Sequence, residues 1–196
     1  MHDHKPSIRG LESEAFQQGG YFTVPQARDH GVNKTLLNHY VSSGRFTPVR
    51  RSLYRLSNFP SSPNDEIREK WLSVGPRSIV SHQSALDLLD LSDEIPSAVH
   101  LLVARRDRGM RRPPGVVLHT HPDGEQVPTV SRDGLPVTAP ARTLVDVLAD
   151  IQPDQATRAI RQALERGLIT KRQLLSEAMG KKREQALTRL LSAIEE

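Results

Sequence analysis

The 196-residue chain contains no cysteine. Disulfides and cysteine-ligated zinc are therefore excluded, which fits a reducing compartment, and we expect a cytoplasmic protein. No apolar run approaches the ~18 residues needed to span a membrane. The first ten residues, MHDHKPSIRG, have no signal-peptide core. Internal repeats and low-complexity tracts are missing, as is a phosphate-binding glycine loop. What remains is 36% hydrophobic and 26% charged, enough for a packed core and a hydrated surface.

The net charge of +4 is unevenly placed. Residues 1–60 hold eight Lys/Arg against four Asp/Glu, whereas the remaining residues hold 19 of each. The whole excess lies in the N-terminal third, which points to a polyanionic partner.

That third reads as short helices joined by glycine turns. Ile8 to Gln18 forms a first helix, with Ile8, Leu11, Ala15 and Phe16 on one side, and Gly19-Gly20 stops it. Thr23 caps a second helix, with Gln26 completing a capping box and Pro25 tolerated in the first turn. Gly31 ends it. Asn33 then caps a third helix that runs to Gly44. Within Asn33–Ser42, Leu36, Leu37, Tyr40 and Val41 share one side. Asn33, Lys34, Thr35, Asn38, His39 and Ser42 occupy the other. This second face has amide, ammonium, hydroxyl and imidazole groups and no carboxylate, a set suited to base edges and phosphates. The following RFTPVRRSLYRL reads as two strands and a hairpin wing, whose Arg45, Arg50, Arg51 and Arg55 suit a phosphate backbone. Together these predict a winged helix-turn-helix over residues 1–62, closed by the Pro/Ser/Asn-rich linker 58–64.

Residues 63–196 read as a mixed α/β domain ending in several helices, so the fold class is α+β. Helices are expected over Asp65–Val74, with Ile67, Trp71 and Val74 inward, and Ile79–Leu91. Strands are expected at 100–104 and 116–120. A hairpin should turn at Asp133-Gly134. Four helices should follow, near Ala139–Asp150, Pro153–Arg166, Thr170–Met179 and Arg183–Ile194, the third with a Thr170/Gln173 capping box.

Three blocks in order resemble the AbiEi-type antitoxins of type IV toxin–antitoxin systems. They are GGYFTVPQARDHGVNKTLLNHYVSSGRFTPVRRSLYRL, then SHQSALDLLDL with HLLV followed by arginines, then DGLPVTAPARTLVDVLA. Relatives often have glycine in the wing turn where this chain has Ser52. The resemblance implies a winged N-terminal domain that represses its own operon at inverted repeats. It also implies a C-terminal antitoxin domain that counteracts a nucleotidyltransferase-like toxin, commonly without a stable protein complex. The same fold could serve a stand-alone winged-helix regulator with no cognate toxin.

Other constellations leave alternatives open. Arg105, Arg106, Arg108, Arg111 and Arg112 form a basic loop, either a second nucleic-acid or antitoxicity surface or a solvated connection. Arg142 and Asp146, at i, i+4, can pair within the domain or present a functional face. His119-x-His121 would begin a metal site, but no third ligand stands at recognisable spacing. Ser81-His82 and Ser84 lack the glycines of a nucleophile elbow. Pro122-Asp123 is not followed by the E-x-K of a restriction-endonuclease-like site. A metal-dependent hydrolase is thus the weakest reading. We expect no catalytic residues, metal or cofactor.

Overall fold

The computed structural model of the protein describes residues 7–110, 112–178 and 181–195. The chain divides into two compact units, Met1–Pro76 with Asp133–Leu135, and Arg77–Arg132 with Pro136–Glu196.

In the first unit the order is α1 (Ile8–Gln17), β1 (Tyr21–Thr23), α2 (Val24–Asp29), α3 (Lys34–Ser42), β2 (Phe46–Arg50), β3 (Leu53–Leu56) and α4 (Asp65–Val74). The first six elements form a winged helix-turn-helix, with an antiparallel sheet in the order β1-β3-β2. Local chemistry sets the boundaries. Thr23 and Gln26 form the reciprocal capping box, with Thr23 N donating to Gln26 Oε1 at 2.8 Å. Asn33 caps α3 by accepting from Leu36 N at 2.9 Å. Gly20 has φ of +87°, and a Cβ there would come within 2.5 Å of the Phe59 ring, so this position requires glycine twice over.

Leu11, Ala15, Phe22, Ala27, Val32, Leu37, Phe46 and Leu56 make the core. Phe22 meets Phe46 edge-on at 4.8 Å. Phe16, expected inward, is 63% exposed and rests edge-on against Phe59, because Leu11 and Ala15 already fill the buried stripe of α1. Strand β1 was not foreseen. Three residues are too few for a periodic signal, and their pairing with β3 is remote in sequence.

Helix α4, assigned to the second domain from the sequence, groups with the first unit and packs on β1 and β3. The 58–64 segment is pinned rather than free: Arg55 donates to Pro60 O at 2.8 Å, and Asp65 Oδ2 accepts from Ser62 N at 3.1 Å.

In the second unit, β4 (Ile79–Val80), α5 (His82–Leu88), β5 (Val99–Ala104) and a 3-10 turn (Arg105–Asp107) come first. They precede β6 (Val116–His121), β7 (Thr129–Arg132) and β8 (Leu135–Thr138). The helices α6 (Pro140–Val147), α7 (Pro153–Glu165), α8 (Lys171–Glu177) and α9 (Lys181–Glu195) close the chain. Five strands lie in the order β6-β5-β4-β8-β7, with β5/β6 and β4/β8 parallel and β4/β5 antiparallel. The turn at Asp133-Gly134 is present, with φ of 49° and 76° as a primed hairpin turn requires. The helix expected over Ile79–Leu91 begins only at His82. Ile79–Val80 is instead a strand slotted between β5 and β8, which two apolar residues cannot announce. The Thr170/Gln173 box caps α8; Met179, expected at the end of this helix, lies outside the described residues.

Candidate nucleic-acid interface

Helix α3 carries its apolar residues inward, with Leu37 buried and Leu36, Tyr40 and Val41 packed against the core. Asn33, Lys34, Thr35, Asn38, His39 and Ser42 are all exposed. Among the described residues Lys34 has no carboxylate partner. The outward surface of α3 is therefore a continuous row of hydrogen-bonding groups with one ammonium and no acid, a set able to donate to phosphates and base-edge acceptors and, through its amide and hydroxyl oxygens, to accept from base-edge donors.

The wing follows. A register shift between Pro48 and Arg50 bends β2, and Ser52 closes the turn at φ of 66°. A serine holds that left-handed conformation at a cost that glycine would not incur. Arg50, Arg51 and Ser52 are exposed at the tip.

The four arginines singled out from the sequence differ in their surroundings. Arg45 places Nε and Nη2 each 2.8 Å from Glu12 Oε1, with its guanidinium carbon 5.3 Å from the Tyr40 ring centre. Arg50 is ion-paired with Glu69 of α4. Arg55 is largely covered: it bonds Pro60 O, lies 3.2 Å from Asp65 Oδ2 and sits over the Tyr21 ring. Arg51 has no carboxylate partner among the described residues. Sequence reasoning missed Glu12, Asp65 and Glu69 as partners, because each pairing joins residues from different elements.

Residues 11–57 match the family model described as "Transcriptional regulator, AbiEi antitoxin". This segment is similar to the AbiEi family. The match ends with the wing, so the two resemblance blocks of the second unit lie beyond it. The matching description is that of a transcriptional regulator and antitoxin. No curated protein matches the chain. Among solved structures the chain is similar to one titled "Crystal structure of RV2827C protein from Mycobacterium tuberculosis". That likeness has 15% identity and a TM-score of 0.43, and covers 96% of this chain and 83% of that one. No helix among the described residues is long and apolar enough to cross a membrane.

Within the second unit, four arginines of the basic loop (Arg105, Arg106, Arg108 and Arg112) are exposed, while Arg111 lies outside the described residues. The nearby acids are engaged. Asp107 is 3.8 Å from Arg77 Nη2, and Asp123 Oδ1 accepts from Arg106 N at 3.0 Å.

The same unit has a cleft of about 810 Å³, lined among others by His82, His119, His121, Glu125, Arg142 and Asp146. Arg142 bonds Asp146 Oδ2 at 2.8 Å, as the i, i+4 spacing allowed, and also Glu125 Oε1 at 2.6 Å. Burial opposes the Arg142 charge, but the two carboxylates outweigh it and raise its pKa. The His119-x-His121 pair divides. His119 Nε2 lies 3.0 Å from His100 Nδ1, whereas His121 Nδ1 lies 2.9 Å from Pro122 O. Burial lowers the pKa of both His100 and His119; Asp150 opposes it at each. His82 sits at the start of α5 with φ of 51°. Among the described residues no group of three or more His, Asp or Glu is arranged to hold a metal.

Proposed function

We propose that this protein is a DNA-binding antitoxin of a type IV toxin–antitoxin system. It represses its own operon by binding inverted repeats, one copy to each half, and counteracts a nucleotidyltransferase-like toxin in the cytoplasm. The observation that carries the reading is the outward face of α3, exposed, polar and free of acid, beside an arginine-bearing wing. In this reading α3 enters the major groove. Asn38 is placed to pair with an adenine edge and Lys34 with guanine or phosphate, flanked by Thr35, His39 and Ser42. Asn33 caps the helix at the groove. Arg45, Arg50 and Arg51 meet phosphate, and Arg55 secures the wing that presents them. The mechanism is binding, with no catalytic residue and no cofactor. Antitoxicity belongs to the second unit, where the exposed arginines of the 105–112 loop offer a surface for RNA or DNA.

The family description names a transcriptional regulator as well as an antitoxin, which supports a second reading: a stand-alone regulator. The two differ in the neighbouring gene, because only the antitoxin needs a nucleotidyltransferase-like reading frame beside it. The test of the common part is a gel shift of full-length protein with DNA from upstream of its own gene. Retardation that survives competitor DNA and weakens steeply with potassium chloride, by a log–log slope of about −0.9 per phosphate contact, is expected. No retardation at low salt would refute it.

A further inference from the structure

We infer that Glu12 and Glu69 are internal counter-ions that occupy Arg45 and Arg50 in the free protein and are exchanged for phosphates when DNA binds. They thereby set its affinity and salt dependence. The inference rests on the DNA-binding reading above and adds a regulated step to it.

The argument starts from the unequal treatment of the basic residues. Lys34 and Arg51 are exposed without a carboxylate partner among the described residues. Arg55 has a side chain only 18% exposed, tied to Asp65, Pro60 O and the Tyr21 ring, and so serves the fold. Arg45 and Arg50 lie between these extremes. Their side chains remain 44% and 38% exposed, yet each is paired with a glutamate from another element of the same unit. Glu12 stands on α1 and Glu69 on α4. Both lie outside the helix-turn-wing segment that would face the duplex.

The glutamate side chains are 24% and 20% exposed, but each pair opens to solvent on its arginine side, so screening and the immobilisation of two long side chains keep its stabilisation of the fold modest. Its effect on a polyanion is larger. A carboxylate oxygen bonded to a guanidinium occupies the position that a phosphate oxygen would take. Binding must then break the carboxylate contact before the phosphate contact forms. The Tyr40 ring beneath Arg45 keeps the guanidinium near the end of α3 through that exchange. The glutamates thus weaken sequence-independent attraction while leaving the base-reading face of α3 untouched. A regulator competing with a genome of non-specific sites gains discrimination from such a bias.

The test measures fluorescence anisotropy of full-length wild type, Glu12→Gln, Glu69→Gln and the double variant. The probes are DNA from upstream of the gene and a random duplex of equal length. Each single variant should bind both DNAs about two- to fivefold more tightly. The salt dependence should steepen, and the melting temperature should stay near wild type. Binding by the variants alone, with wild type silent, would be the strongest form of the same result. As a second measurement, Arg50→Gln should cost more affinity in the Glu69→Gln background than in wild type, a coupling that a merely structural pair would not produce. Wild-type binding with neither a gain in the variants nor that coupling overturns the inference alone. No binding by any of these proteins at low salt overturns the DNA-binding reading with it.

Discussion

The imidazole rings of His82 and His119 lie face to face, with centroids 3.4 Å apart and planes 12° from parallel. His100 completes the group through its 3.0 Å contact with His119. The three residues come from the start of α5, from β5 and from β6, and burial disfavours charge on His100 and His119.

Acid should therefore weaken this unit. The pKa values of His100 and His119 are lowered in the fold, chiefly by burial, from an ordinary value of 6.5. Above that value both states are neutral and the contribution to stability is intact. As the pH falls below it, the unfolded chain takes up protons that the fold resists, and stability is lost. Asp150, 4.0 Å from His82, and Asp146 soften the effect without reversing it. Thermal melts between pH 7 and pH 5 should show a falling transition, and His119→Gln should flatten that dependence. A transition equally stable at both ends for wild type would contradict this account.

Arg142 should be required for the fold of the second unit. Its removal leaves Glu125 without the 2.6 Å bond and strips a guanidinium from Asp146, whose side chain is only 3% exposed. Breaking a buried pair on one side costs about 3 kcal/mol or more. Arg142→Met should lower the unfolding free energy from denaturant titration by that amount. Arg142→Lys should rescue little, since an ammonium on a flexible stem cannot reproduce the two-sided guanidinium geometry. DNA retardation at a temperature where the variant is folded should be unchanged. A loss of antitoxicity with unchanged stability would instead make this ion pair a functional surface.

Specific DNA binding should fail when α3 loses its two most informative side chains. Lys34→Ala combined with Asn38→Ala changes exposed residues only, so stability should stay within about 0.5 kcal/mol of wild type. Retardation of the upstream DNA over random duplex should disappear, leaving weak, salt-sensitive binding. An unaltered preference would remove α3 from the groove.

Features encoded over a few neighbouring residues were legible in the sequence: the Thr23/Gln26 and Thr170/Gln173 boxes, the Asn33 cap, the wing strands, the Asp133-Gly134 turn and the Arg142–Asp146 pair. Each depends on residues within about one helical turn or one hairpin. Long-range features were hidden. Strands β1 and β4 are three and two residues long and exist through partners distant in sequence. Arg45 finds Glu12 at a separation of 33 residues, and Arg142 finds Glu125 at 17. The stacked histidines lie at positions 82, 100 and 119, and no spacing rule connects them. The grouping of α4 with the first unit is likewise a matter of contacts rather than of local sequence. The linker composition was correct, but its anchoring through Arg55 and Asp65 is a tertiary fact.

The Asn33 side chain has a fixed duty, since its oxygen holds the first turn of α3. Leu36, Leu37, Tyr40 and Val41 are likewise committed to packing. Lys34, Thr35, Asn38 and Ser42 owe nothing to the interior. A lineage can rewrite those four letters without disturbing the scaffold, so on the proposed DNA-binding reading the address is free to drift while the scaffold stays the same. Orthogonal copies of one architecture could then share a cell without answering to each other's promoters.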